Sequence, residues 1–142
     1  MARNRRRMPV SRQSLWATLS DGKAYARWVV GTSSIREVDD HWPAQGSRLH
    51  YSVGRGPLRH DGHTEVVSVD PGRRLEREAH AWPVGAARIE ISLTDDGPGT
   101  VVDIDEHPSR GAGALLHNPV TDLLLKLRNV EALRRLERHA QR

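Results

Sequence analysis

Tyr51, Arg77 and Glu106 are the residues of this chain best placed to do chemistry on a small molecule. Successive side chains of a strand point to opposite faces, so a polar residue that shares parity with apolar neighbours points inward. Tyr51 shares a face with Leu49 and Val53, Arg77 with Leu75 and Ala79, and Glu106 with Val102 and Ile104. A buried carboxyl keeps its proton to higher pH unless it is paired, which suits Glu106 to general acid/base work while Arg77 or Tyr51 polarises a carbonyl oxygen. The same pattern fits an internal Arg77–Glu106 ion pair that only shapes the interior, or a bulge that turns either residue outward.

Other reactive constellations carry less. His60-Asp61-Gly62-His63 has two imidazoles at i and i+3, which point to opposite faces of a strand, and no third ligand has a convergent spacing, so no metal site is expected. Asp103, Asp105 and His107 lie opposite Val102 and Ile104 and read as a solvated face. There is no cysteine, hence no disulfide, thiolate zinc site or Cys nucleophile. Gly54-Arg55-Gly56 and Gly111-Ala112-Gly113 are too short for phosphate loops, and no G-x-S-x-G elbow is present, so kinase and hydrolase readings have no support.

Apolar residues could instead line a pocket. Strand parity and helical spacing nominate Leu49, Val53, Ile89, Ile91, Leu124 and Leu127, with Leu116 just ahead of the last helix. Trp28, Trp42 and Trp82 fall at element ends, where an indole can gate a cavity or stack on a ligand; Trp28 and Trp82 are the candidates, and Trp16 reads as a core anchor inside a helix.

These residues depend on the elements that hold them. Pro and Gly punctuate the middle of the chain, and between them lie strand-length segments at 33–39, 47–53, 63–70, 74–81, 88–94 and 100–107. Asp95-Asp96-Gly97-Pro98-Gly99 joins the last two as a hairpin. Ser11 caps a helix carrying Leu15, Trp16 and Leu19, and Asp21 caps a second carrying Tyr25 and Trp28. Before them, 3–10 reads as an edge strand despite Pro9. Asn118-Pro119 opens a long helix running to about Ala140, with Val120, Leu123, Leu124, Leu127, Val130, Leu133 and Leu136 as its apolar stripe.

Composition bounds the class. At 142 residues the chain is expected to form one domain, 1–142, and no apolar run approaches the ~18 residues of a membrane span. The N-terminal Arg5-Arg6-Arg7 is followed by no apolar segment, so no export signal is expected and the cytoplasm is the default location. The formal net charge is +4, yet the arginines are scattered rather than striped, and with no Phe and two Tyr the aromatic platforms of single-strand binders are scarce. Nucleic acid is therefore a weak expectation, carried only by a basic N-terminal arm as an interaction module. A homodimer is left open.

The order strand, two short helices, six antiparallel strands and one long amphipathic helix resembles the START-like (SRPBCC) superfamily, within it the bacterial polyketide cyclase/dehydratase and lipid-transport group. Leu15-Trp16-Ala17-Thr18-Leu19-Ser20-Asp21 with Tyr25 and Trp28 is similar to the family's opening motif. Pro43-Ala44-Gln45-Gly46-Ser47-Arg48-Leu49, Val69-Asp70-Pro71-Gly72-Arg73-Arg74-Leu75 and Asn129-Val130-Glu131-Ala132-Leu133-Arg134-Arg135-Leu136 are similar to its later ones. The basic first strand departs from the family's pattern. The resemblance implies an α+β helix-grip fold, with a curved antiparallel sheet of about seven strands around the C-terminal helix and two short helices after the first strand. It also implies a cavity for a lipid- or polyketide-like molecule, usually without a cofactor. Carriers, sensors and cyclase or dehydratase enzymes all share that fold, and fold alone does not choose among them.

Overall fold

The chain forms seven strands, most cleanly alternating in β3, β6 and β7: β1 (Ala2–Met8), β2 (Thr32–Val38), β3 (Arg48–Val53), β4 (His60–Asp70), β5 (Arg74–Ala81), β6 (Gly85–Asp96) and β7 (Gly99–Arg110). The computed structural model describes residues 2–29, 32–53, 56–81, 85–110 and 119–141, without the side chains of 2, 33, 53, 58, 60, 81, 85, 107–110 and 119–125. All seven strands join one antiparallel sheet in the order β1-β7-β6-β5-β4-β3-β2. With α1 (Arg12–Ser20), α2 (Tyr25–Trp28) and α3 (Pro119–Ala140), this is the α+β helix-grip arrangement.

Local chemistry sets the element ends. The Ser11 side chain accepts from the Ser14 amide at 3.1 Å and opens α1, and Asp21 accepts from the Lys23 amide at 3.1 Å and starts the short turn into α2. The hairpin between β6 and β7 closes in two residues, Gly97-Pro98, because Gly97 takes a φ of 59°. α3 begins at Pro119 and runs 22 residues, about 33 Å.

The basic first strand is matched by an acidic neighbour. Arg5 lies opposite Asp103 in the β1–β7 register and donates to its carboxylate at 2.8 Å. Arg7 reaches Asp96 at 2.8 Å, and Arg6, on the inward parity with Met8, pairs with Glu137 of α3 at 3.2 Å. The segment read as an edge strand is one, and Arg5, Arg6 and Arg7, the residues of the alternative basic arm, are ion-paired there, with Met8 fully buried.

The inward residues fall into rows, which on β5 and β6 pass from large residues to Ala79 and Ala87. Leu75, Ile91 and Ile104 form one row; Val66, Arg77, Ile89 and Glu106 the next; then Leu49, Thr64, Ala79 and Ala87; then Tyr51 and Gly62. The large rows, with Met8, Leu15, Leu133 and Leu136, make the packed core. On α3 the buried stripe is Asn129, Ala132, Leu133 and Leu136. The expected stripe is corrected at Leu127 and Val130, which are 58% and 44% exposed. At 100° per residue, Leu127 stands about 200° around the helix from Asn129 and faces away from the sheet.

Candidate functional site

The three polar residues nominated by strand parity do face inward, and all are buried. They are joined by two that parity did not nominate, Tyr25 of α2 and Arg128 of α3. Tyr25 and Trp28, three residues apart, share one face of α2, with ring centroids 5.6 Å apart. The Tyr25 ring also stacks on Tyr51, at 5.7 Å and 25°.

Tyr51 can lie flat over β4 because the residue beneath it is Gly62. A Cβ at Gly62 would stand 3.2 Å from Tyr51 Cε2 and inside contact distance of the His80 carbonyl oxygen. The Tyr51 hydroxyl donates to that same carbonyl at 3.4 Å. Burial, above all, pushes the Tyr51 phenol far above its ordinary range; Tyr25 acts in the same sense, Arg77 and Arg128 oppose it, and Glu106 again raises it. Tyr51 is therefore a neutral hydrogen-bonding phenol at any physiological pH.

Arg77 extends from β5 beneath α2. Its Nη1 donates to the Tyr25 hydroxyl, and its guanidinium carbon sits 5.0 Å from the Tyr25 ring centre and 5.7 Å from that of Trp28. The internal Arg77–Glu106 pair considered from the sequence does not form. In their common row Ile89 stands between them, which separates the two backbones by about 9.5 Å. Glu106 pairs instead with Arg128, whose Nη2 donates to both carboxylate oxygens. The pair is lopsided, with the Glu106 side chain 5% exposed and that of Arg128 40%.

The apolar candidates divide. Trp28 and Ile89 border the polar cluster, at 4% and 8% exposure. Leu49 and Ile91 belong to the fully packed core. Leu127 faces away, as described above. Trp82 and Leu116 lie outside the described residues, as do the side chains of Val53 and Leu124. Trp42, with its indole N–H on the Leu19 carbonyl at 3.4 Å, is a core anchor. Ala79 and Ala87 share the inward face with Arg77 and Ile89, and both keep partial exposure, so the inner sheet surface beside the cluster is only partly covered, Ala79 packing against the core on one side.

On the outer face, His50, His63 and His80 form a cross-strand ladder, with ring centroids 5.8 and 4.6 Å apart. His63 thus points away from the site. Burial, then the adjacent His80, lowers its pKa. Among the described residues no group of three or more His, Asp or Glu side chains is arranged to hold a metal ion.

The family described as polyketide cyclase / dehydrase and lipid transport matches residues 2–141. Among solved structures, DynU16, described as a protein in the dynemicin biosynthetic locus, is 19% identical with a TM-score of 0.71; the match covers 99% of this chain and 46% of that one, so this chain spans about half its length. CalU16 from Micromonospora echinospora is 17% identical over 97% of this chain and 74% of its own, with a TM-score of 0.66. Ara h 8.0201 is 12% identical, covering 98% and 95%, with a TM-score of 0.74. At these identities the likeness is one of fold. Comparison with curated proteins finds no match.

Proposed function

Because the chain belongs to the polyketide cyclase/dehydrase and lipid transport family, we propose that it holds a hydrophobic or aromatic small molecule between the inner face of the sheet and the C-terminal helix, as a carrier or sensor. The observation that carries this reading is the partly covered inner surface at Ala79 and Ala87, bordered by Trp28, Tyr51 and Ile89. Small inward residues beside aromatic walls suit a flat apolar guest, and the few polar groups there would set its orientation. The test is Nile red fluorescence with the wild type and with Ala87→Phe, which fills the surface. Wild type should brighten the dye and Ala87→Phe should not, at an unchanged melting temperature. Failure of every apolar probe, neutral or charged, to bind or to raise the melting temperature would overturn the reading.

A cyclase or dehydratase activity is the second reading. It is supported by the convergence of Tyr51, Arg77, Glu106 and Arg128, close enough that the other three all act on the Tyr51 phenol. There a neutral phenol and two guanidiniums could stabilise an enolate oxygen, and Glu106 could take a proton once Arg128 moves aside. Turnover of a poly-β-ketone that survives Glu106→Gln combined with Tyr51→Phe would remove those roles.

A further inference from the structure

Arg77 is only 3% exposed, and among the described residues no carboxylate partners it. Its guanidinium is held by a hydrogen bond to the Tyr25 hydroxyl and by the faces of two aromatic rings. Ring faces and hydroxyls offset part of the cost of burying a cation, but they do not neutralise it. The nearby acid, Glu106, is engaged by Arg128, so among the described residues the cluster carries one cation more than its anions. A guanidinium keeps its charge when buried and offers several donors in a rigid fork, of which Tyr25 engages only one arm. The partly covered surface at Ala79 and Ala87 lies in the row next to Arg77.

We propose, on the premise of the small-molecule pocket above, that its ligand is a monoanion: an aromatic or alkyl carboxylate whose acid group docks on Arg77 and whose apolar body lies over Ala79, Ala87 and Ile89. The anion supplies the counter-charge that Arg77 lacks among the described residues, and the Tyr25 hydroxyl, already on Arg77, can turn its proton to a carboxylate oxygen. This assigns Arg77 as the residue that discriminates acids from neutral molecules of the same shape. Arg128 has its own carboxylate and is not the anchor.

The test compares two matched pairs of probes by calorimetric titration: 2-naphthoate against 2-naphthalenemethanol, and myristate against myristyl alcohol. In the wild type one acid or both should bind at least about tenfold tighter than the matched alcohol, the scale of a charge-assisted contact. Arg77→Gln should bring acid and alcohol to within about twofold, and Arg77→Lys should restore most of the preference. Because the readout is a ratio within one protein, a general loss of stability does not move it, and the wild-type ratio stands even if Arg77→Gln fails to fold. Equal binding of acid and alcohol by the wild type would overturn the anion proposal while leaving the pocket intact. An acid preference that persists in Arg77→Gln would overturn the assignment of Arg77. Binding of none of the four probes would overturn both the proposal and the pocket.

Discussion

The Glu106–Arg128 pair should fail asymmetrically when one partner is removed. Glu106 lies in the sheet with its carboxylate 5% exposed, whereas the Arg128 side chain, on the rim of α3, is 40% exposed. If Glu106 becomes Gln, Arg128 can swing its guanidinium into water on a flexible stem, and the loss is that of a half-exposed pair, about 1 kcal/mol or less. If Arg128 becomes Met, Glu106 has no such exit. An uncompensated buried carboxylate costs about 3–5 kcal/mol. For a domain of this size, roughly 3 kcal/mol lowers the melting temperature by about 10 °C. The double variant Glu106→Gln/Arg128→Met should recover most of that, to within about 1 kcal/mol of Glu106→Gln alone. Urea titration of the four ligand-free proteins at neutral pH measures each difference. Equal costs for the two single variants, or a double variant as unstable as Arg128→Met, would refute the assignment of Glu106 as the desolvated partner.

Other perturbations probe the same geometry. Gly62→Ala should cost about 1–3 kcal/mol, since its methyl group meets the fixed His80 carbonyl and the Tyr51 ring, and it should weaken Nile red binding. The unfolded chain would lose the Tyr51 proton near pH 10 while the folded protein retains it, so stability should fall as pH rises above about 10, and less so in Tyr51→Phe; urea midpoints at pH 9 and 11 check this. For His63 the sign is opposite. Its depressed pKa means that the unfolded chain binds a proton first, so stability should fall as pH drops below about 6.5, with a shallower fall in His63→Gln by thermal melts across that range.

Strand parity made Tyr51, Arg77 and Glu106 legible because a period of two leaves no ambiguity about face. It could not say who meets whom, since that depends on which strands are neighbours and on what stands between them. Ile89 separates Arg77 from Glu106, a fact of register rather than of either residue's surroundings in sequence. The start of α3 was legible from Pro119, whereas its buried stripe was not. Leucines from 123 to 127 spread over about 200° of the helix circumference, so apolar spacing alone admits more than one face, and the stripe that packs includes the polar Asn129. Arg128 was missed for a related reason: a charged residue on an amphipathic helix reads as solvent-facing until an acid appears opposite it. The i, i+3 spacing of Tyr25 and Trp28 could have nominated Tyr25.

Side-chain size along β5 and β6 distinguishes a fully covered part of the sheet from a partly exposed one. Leu75, Ile91 and Ile104 pack toward the end of the sheet where Leu133 and Leu136 of α3 complete a core without exposed surface. Replacing Leu136 by Ala there should cost about 2–5 kcal/mol, as for any fully buried leucine. Two rows away, Ala79 and Ala87 present little side chain to lose, and the large residues beside them arrive from other elements: Tyr25 and Trp28 from α2, Arg128 from α3. Tyr25, Trp28, Tyr51 and Ile89 nevertheless belong to the same core cluster as the packed rows, and Ala79 packs against it, so a change at that end acts on stability as well as on the surface it borders.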